Sequence, residues 1–426
     1  MDDDNEDGWE VLTGPPQYTT NSEKHLHAFC MAAALGDVAK LQQMLDAKLV
    51  RDVNSQSPQK RETAMHYACR NDNANNLKTV EFLFGQGADL DLKDFRGKHS
   101  LLLAVAHGHL HIVKFLIENG ANLHIVDKYN RSCVHWAAMH KYFDIVKLLL
   151  ESGARVHYDV CNNWQPLHEA VKGGSLEIVK FLIENKAEIN VNAAGNKSKP
   201  YTPLHIAARE GHTECLNYLL DCKAEVNAVN QGKQTPLHEA AFRGSKDCCR
   251  DLILRGADPH AKNLQMRTPL LDACNQGKLP CAIYCLDAGS FINHKDRIND
   301  TALHHLLKNH GRFMFDDHDP MNPNDKKLGA EQLVAFADVL LQYGANPNAP
   351  NDEDETPLTI AETLQQNREV VDLMYKAMEK PRTLLHLAKI ACRRILRCDS
   401  KKVWTLPIPK TLQVYLIQNS SYYSGW

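Results

Sequence analysis

A short motif returns along this chain at a nearly constant spacing, and this periodicity constrains the fold more than any other feature. Thr202-Pro-Leu-His-Ile-Ala-Ala reappears as Thr235-Pro-Leu-His-Glu-Ala-Ala, and weaker copies begin at residues 63, 99, 132, 165, 268, 301 and 356. The third residues of successive copies lie 36, 33, 33, 37, 33, 33, 33 and 55 positions apart. Repetition at this period predicts an array of similar structural units, each stabilised by its neighbours.

Each position of the motif suits one part of a pair of helices. The Thr can cap a helix with its side-chain oxygen, and a Pro at the first helical position loses no hydrogen bond. The Leu enters the core, and the Ala residues let neighbouring helices approach closely. A second amphipathic helix follows, as in residues 112–117 and 145–150. A Gly-Ala pair such as Gly120-Ala121 then ends it through a left-handed residue.

These features resemble the ankyrin repeat family over roughly residues 24–380. The resemblance implies an all-α fold, an ankyrin-repeat solenoid of about ten helix-pair units that includes a capping-type unit near residues 32–45. Two spacings depart from the family period. The first places about four extra residues in a loop near 192–199, and the second predicts an irregular insertion at about 311–330. That insertion is either a tolerated surface loop or an arm that binds a partner.

Composition and charge narrow the classes of function. The chain has 426 residues and a formal net charge of -3, so no overall attraction to nucleic acid or to an acidic membrane is expected. No apolar run reaches about 18 residues, so no transmembrane helix is predicted. Residues 1–23 begin with an acidic run and are predicted to be a flexible tail rather than a secretory signal. The 13 scattered cysteines suit free thiols, which places the protein in the cytoplasm or the nucleus.

After Lys380 the repeat pattern stops and a different pattern begins. A predicted helix carries one apolar stripe, formed by Leu384, Leu387, Ala388, Ala391 and Ile395. The two prolines of Leu406-Pro-Ile-Pro409 then predict an extended segment, and the run Leu412-Gln-Val-Tyr-Leu416 follows. This order and spacing resemble the SOCS box over about residues 381–420, with 421–426 as a tail. The alternative is a helix that caps the last repeat.

The SOCS-box resemblance implies two contact sites. The elongin C contact would be made by Thr383, Leu384, Leu387, Ala388 and Cys392. The contact with cullin-5, which carries a RING protein, would be made by Leu406, Pro407, Ile408, Pro409, Leu412, Tyr415 and Leu416. Leu384 would be the main anchor for the elongin B–elongin C pair. Ala388 stands where the family has Cys, and its smaller side chain would fill the elongin C pocket less well.

Ankyrin repeats followed by a SOCS box resemble the ankyrin-repeat-and-SOCS-box family. The function implied is a substrate-recognition subunit of an elongin B/C–cullin-RING ubiquitin ligase. In that function the repeats bind a target protein and the SOCS box recruits the ligase. The alternative is an ankyrin scaffold that binds or sequesters a partner protein without ubiquitination.

In ankyrin proteins the target contacts lie on the loop fingers and on the exposed ends of the first helices. By position, the predicted target-binding residues are Phe95, Tyr129, Met139, His140, Trp164, Arg209, Phe242 and Arg243, and further finger residues are Arg96, Leu264 and Met266. Aromatic and Arg side chains are frequent interface anchors, although single exposed aromatics are also ordinary. Trp164 and Phe242 are expected to be largely exposed.

Two asparagines resemble the positions that an asparaginyl hydroxylase modifies in ankyrin repeats. They are Asn190 and Asn227, each of which follows a Glu-Ile or Glu-Val pair. The alternative is that both are ordinary turn residues.

The histidines and cysteines favour structural roles over catalysis. One repeat position is occupied six times by histidine, at His66, His135, His168, His205, His238 and His304. A residue reused in this way is predicted to form a hydrogen bond between neighbouring units. Cys248, Cys249, Cys281 and Cys285 fall at core positions of predicted helices. No Cys-x-x-Cys pair, phosphate-binding loop or nucleophile motif occurs, so we expect no metal, no cofactor and no enzymatic activity.

Overall fold

The computed structural model describes residues 20–72, 74–157, 164–191, 193–194, 200–312, 328–363 and 368–379. These residues form twenty helices and one pair of two-residue strands. The chain falls into two compact units, which meet in sequence between Val156 and His157.

The first unit contains four helix pairs. Its helices are α1 Asn21–Leu35, α2 Val38–Asp46, α3 Ala64–Arg70, α4 Asn76–Gly85, α5 Ser100–Ala106, α6 Leu110–Glu118, α7 Cys133–Met139 and α8 Phe143–Glu151. The first helices of successive pairs pack in the order α1, α3, α5, α7, and the second helices pack in the order α2, α4, α6, α8. Thr20 caps α1, because its hydroxyl oxygen accepts from the Glu23 N–H at 3.2 Å. The first helix therefore begins at Asn21.

The second unit contains six helix pairs and the two strands. Its elements are α9 Pro166–Gly173, α10 Leu176–Glu184, β1 Ala193–Ala194, β2 Pro200–Tyr201, α11 Pro203–Glu210, α12 Thr213–Asp221, α13 Pro236–Arg243, α14 Lys246–Leu254, α15 Pro269–Asn275, α16 Leu279–Asp287, α17 Ala302–Arg312, α18 Ala330–Tyr343, α19 Pro357–Thr363 and α20 Arg368–Glu379. The first helices pack in the order α9, α11, α13, α15, α17, α19, and the second helices follow the same rule from α10 to α20.

The extra residues of the two irregular repeats form partly regular structure. Near residue 192 the expected loop includes an antiparallel pair, in which Ala193 lies opposite Tyr201. In the longer insertion, α17 reaches Arg312, and α18 has 14 residues against nine in α16. Part of the added sequence therefore lengthens helices. Residues 313–327, the middle of the predicted insertion, lie outside the described residues.

At five places the recurring histidine bonds its own repeat to the following repeat within the same compact unit. At His205, Nδ1 accepts from the Thr202 N–H at 3.3 Å and lies 2.8 Å from the Thr202 hydroxyl oxygen. Since Nδ1 accepts, Nε2 carries the proton and donates to the Gln234 carbonyl oxygen at 3.0 Å. Equivalent bonds join His66 to Lys98, His168 to Tyr201, His238 to Arg267 and His304 to Glu355. The prediction that these histidines bond neighbouring units is confirmed for these five.

Buried thiols fill the core where sister repeats use aliphatic residues. Cys248, Cys249, Cys281 and Cys285 are all buried and unoxidised, as predicted. Burial raises the pKa of the Cys248 thiol to about 11, so it remains protonated at neutral pH. Among the described residues, no helix has the length and apolar character needed to cross a membrane.

Candidate target-binding surface

The loops that precede the first helices are held by a repeated side-chain tie. Asp94 Oδ1 accepts from the N–H groups of Arg96 and Lys98, both at 2.8 Å. Asp127 makes the same two bonds one repeat later, to Tyr129 and Arg131. In the second unit the tie recurs at Asn263, Asp296 and Asn351. We call these loops fingers, and they comprise residues 57–62, 94–98 and 127–131 in the first unit and 230–234, 263–267, 296–300 and 351–355 in the second.

Neighbouring fingers also bond to one another through the main chain. In the first unit the Phe95 N–H donates to the Lys60 carbonyl at 3.0 Å, and the Lys128 N–H donates to the Arg96 carbonyl at 2.9 Å. In the second unit Leu264 bonds to Gly232, Arg297 to Gln265 and Asp352 to Ile298 in the same way. The finger tips therefore have defined spacing before any partner binds, which lowers the entropy lost on binding.

In the first unit a stack of rings and cations connects a finger to the end of α7. Phe95 and Tyr129 expose 49% and 46% of their surface. The Arg131 guanidinium carbon lies 5.0 Å from the Tyr129 ring centre and 4.2 Å from that of Trp136. Trp136 in turn stacks on His140 at 5.7 Å. The predicted residues Tyr129 and His140 are thus brought into one arrangement, and Met139 lies half-buried beside it.

Sequence reasoning missed Arg131 and Trp136, which hold this stack together. Trp136 is 2% exposed and follows the recurring histidine, a position where other repeats carry Ile206 or Glu239. Its indole N–H donates to Asp127 Oδ2 at 3.2 Å, and the Arg131 Nε–H donates to the same oxygen at 3.0 Å. A Trp at a position occupied by smaller side chains elsewhere was the signal that could have identified it.

In the second unit the predicted target residues divide into exposed and packed groups. Phe242 and Arg243 are exposed at the end of α13, and Phe242 shows 37% of its surface. Arg209 is half-buried and its guanidinium carbon lies 5.9 Å from the Tyr201 ring centre. The expectation that Trp164 is largely exposed is wrong. It is half-buried, because its ring stacks on His168 at 5.0 Å.

The two candidate hydroxylation sites are exposed but take part in bonds between repeats. Asn190 Oδ1 accepts from the Glu225 N–H at 2.9 Å. Asn227 Oδ1 accepts from the Asp258 N–H at 2.8 Å, and its Nδ2 donates to the Gly256 carbonyl at 3.3 Å. Both side chains thus bond one repeat to the next, and hydroxylation stays a prediction.

A buried carboxyl group on α15 was not found from the sequence. Asp272 is 3% exposed, and its Oδ2 has no hydrogen-bond partner. Burial is the main cause that raises the pKa of Asp272, to about 7, while nearby Arg267 opposes the shift and Glu239 adds to it. Burial therefore favours the protonated form of this group far more than in an exposed carboxyl group. No group of three or more metal-binding side chains occurs in the parts of the chain that the structure describes.

All residues predicted to contact elongin C or a cullin lie between residues 383 and 416, outside the described residues. Their assignment continues to rest on the sequence pattern alone.

Comparison with known proteins shows that the repeats of this chain are similar to ankyrin repeats. The family model described as "Ankyrin repeats (3 copies)" matches residues 73–159, 101–193, 192–263 and 237–315, which together cover more than half of the chain. The crystal structure of the human ASB11 ankyrin repeat domain is similar at 25% sequence identity, over 56% of this chain and 98% of that domain, with a TM-score of 0.46. The match to the family model, and not this structural likeness, assigns the chain to the ankyrin-repeat family.

Proposed function

Because the chain belongs to the ankyrin-repeat family, whose repeats serve protein binding, we propose that it is the substrate-recognition subunit of an elongin B/C–cullin-RING ubiquitin ligase. In this proposal the repeats bind the target protein. The segment 381–420 recruits elongin B and elongin C through its predicted helix, and cullin-5 with its RING protein through Leu406-Pro-Ile-Pro409.

The observation that carries the proposal is the position of the carboxyl-terminal pattern. The last repeat helix, α20, ends at Glu379, and the Thr383-Leu384 opening of the SOCS-like pattern follows almost at once. Three separate elements then occur in the order and spacing of a SOCS box. A single match to a short motif would be weak evidence, because it can arise by chance. Three matches in the expected order after an ankyrin array are specific evidence.

The finger surface supports the target-binding half of the proposal. Its tips are tied by side-chain and main-chain hydrogen bonds, and they expose aromatic, apolar and cationic groups of the kinds that anchor protein interfaces. The chain would accelerate ubiquitination by positioning alone. A bound target has a high effective concentration near the ubiquitin carrier, and no side chain of this protein needs to react.

A capping role for the carboxyl-terminal segment is the competing explanation, and one observation favours it. The last helix exposes two large apolar side chains, Tyr375 at 45% and Met378 at 38%. A helix that covered them would stabilise the last repeat by removing apolar surface from water.

Deletion of residues 381–426 separates these functions. We expect the full chain to co-purify with elongin B and elongin C, and the shortened chain to lose both while its urea unfolding midpoint stays the same. A lower midpoint with elongin binding retained would establish the capping role and refute the proposal. A full chain that binds neither elongin would favour the ankyrin scaffold that sequesters its partner.

A further inference from the structure

The three fingers of the first unit carry an excess of positive charge. Within residues 57–62, 94–98 and 127–131 there are six basic residues, namely Lys60, Arg61, Arg96, Lys98, Lys128 and Arg131, and three acidic ones. The acidic residues Glu62, Asp94 and Asp127 are at most 5% exposed. The surface that a partner would meet is therefore cationic.

The three acids are also occupied by local bonds. Asp94 and Asp127 accept the main-chain N–H groups of their own fingers, and Asp127 Oδ2 additionally accepts from Arg131. Glu62 forms an ion pair with Arg70 at 2.6 Å. Four of the cations, Lys60, Arg61, Arg96 and Lys128, form no ion pair with any other described residue. Their charge is available to an external anion.

The uncompensated cations lie on neighbouring fingers that hydrogen bonds hold together. The main-chain bonds from Phe95 to Lys60 and from Lys128 to Arg96 join the first finger to the second and the second to the third. One extended segment of a partner can consequently meet all three fingers. We call the surface formed by Lys60, Arg61, Phe95, Arg96, Lys128 and Tyr129 the basic finger edge.

The aromatic rings of this edge decide between a protein and a nucleic acid. The Arg96 guanidinium carbon lies 5.2 Å from the Phe95 ring centre, and Lys128 Nζ lies 4.6 Å from the Tyr129 ring centre. Single-stranded nucleic acids bind by stacking bases on open ring faces. Here a cation lies against each ring, which leaves less open ring face for a base to stack on, while the exposed ring edges can contact apolar side chains. Carboxylates for the cations and apolar groups for the ring edges are both supplied by an acidic protein segment.

We propose that the basic finger edge binds an acidic segment of the target protein in which Asp or Glu alternates with apolar residues. The inference rests on the proposed function and deepens it, since it states the chemistry of the target that the repeats recognise. The fingers of the second unit differ in kind. Their exposed side chains include Leu264, Met266 and Ile298, and the last finger carries Asp352-Glu-Asp-Glu355.

The test uses the full chain and a fluorescent peptide of alternating Glu and Leu residues, with a Lys and Leu peptide as the comparison. We expect the acidic peptide to bind, the basic one not to bind, and the affinity to fall as salt is raised. Arg96→Ala with Lys128→Ala should weaken binding roughly tenfold or more, since two charge contacts are lost. The matched control is Lys233→Ala with Arg297→Ala, which removes two exposed finger cations of the second unit and should leave the affinity unchanged.

Three results would overturn the proposal. The first is that the unaltered chain does not bind the acidic peptide, or that the Arg96→Ala, Lys128→Ala variant binds it as tightly as the control variant does. The second is tighter binding of a single-stranded RNA with the same dependence on Arg96 and Lys128, which would make the occupant a nucleic acid. The third is peptide binding that appears only after residues 1–19 are removed, which would make the occupant the chain's own acidic segment. Elongin B–elongin C binding, measured on the same variants, should not change, so failure here is distinct from failure of the ligase proposal.

Discussion

Buried ionisable side chains on the first helices of the pairs differ in how completely their polar atoms are hydrogen-bonded. His205 lies between two hydrogen-bonding partners, and burial lowers its pKa to about 4, so it is neutral and satisfied at physiological pH. Asp272 occupies a similar depth, but its Oδ2 lacks a hydrogen bond. A buried polar atom without a partner costs stability, and a carboxylate costs more than a carboxylic acid.

We predict that Asp272→Asn stabilises the protein at neutral and alkaline pH. The folded pKa of Asp272, about 7, lies above its ordinary value of 3.8, so the folded state holds a proton that the unfolded state releases. The contribution of this group to the free energy of unfolding is therefore fully present below about pH 4 and is lost as the pH rises to about 7. Asn removes that loss, and the free energy of unfolding should rise by up to about 4 kcal/mol near pH 8 and by less near pH 5.

Urea unfolding at the two pH values measures this effect. Asp372→Asn, which changes an exposed carboxyl group on α20, is the control and should have little effect at either pH. A gain for Asp272→Asn that did not depend on pH would mean that the carboxyl group stays ionised in the folded protein.

At the scale of the helix pair, a glycine at the end of the first helix allows the next pair to pack closely. Gly174 ends α9 with a φ of 72°. A Cβ atom there would lie 2.6 Å from the imidazole of His212, whose Nε2 donates to the Lys172 carbonyl at 3.0 Å. A similar contact joins Gly108 to the ring of Tyr142.

We predict that Gly174→Ala is more destabilising than Gly256→Ala. Both glycines have a positive φ, so both variants lose about 1 kcal/mol to backbone strain. Nothing lies within 4 Å of a Cβ at Gly256, whereas at Gly174 the added methyl group must displace His212. The clash should add roughly 1–3 kcal/mol, measurable as a lower urea midpoint. Equal losses in the two variants would show that the contact between α9 and the His212 loop contributes little.

The helix pairs could be predicted because each signal occurs in many copies. Thr or Ser before a helix, the histidine that follows and the Gly-Ala helix end recur, so one degraded copy does not obscure the pattern. Features that occur once could not be found in this way. The β1–β2 pair, the length of α18 and the stacking of Trp164 on His168 depend on contacts made at a single place. Asp272, by contrast, lies at a repeat position that carries a buried acid in two sister repeats, Glu169 and Glu239, so this recurrence was a signal that could have identified it.

At the scale of the whole molecule, different parts of the chain are proposed to bind different partners. In the proposed function, the fingers of the described repeats would contact the target and the segment after α20 would contact the ligase. Within the proposed ligase contact, the helix predicted at 383–395 and the segment Leu406-Pro-Ile-Pro409 are expected to have separate roles.

Replacing both prolines by alanine tests this division. We predict that Pro407→Ala with Pro409→Ala weakens cullin-5 binding roughly tenfold, because a stiff extended segment becomes flexible and loses entropy on binding. Elongin B–elongin C binding should remain. Immunoprecipitation of the full chain, probed for all three partners, measures both contacts at once. Loss of the elongins together with the cullin would show that the two contacts are not separable.

The most direct test of the central claim is a titration of purified full-length chain with purified elongin B–elongin C, for the unaltered protein and for Leu384→Ala. We predict a complex of equal stoichiometry, and an affinity for Leu384→Ala that is lower by roughly tenfold or more, since the main apolar anchor is lost. Undiminished binding by Leu384→Ala would contradict the anchor assignment. Absence of binding by the unaltered chain would contradict its assignment as a ligase subunit.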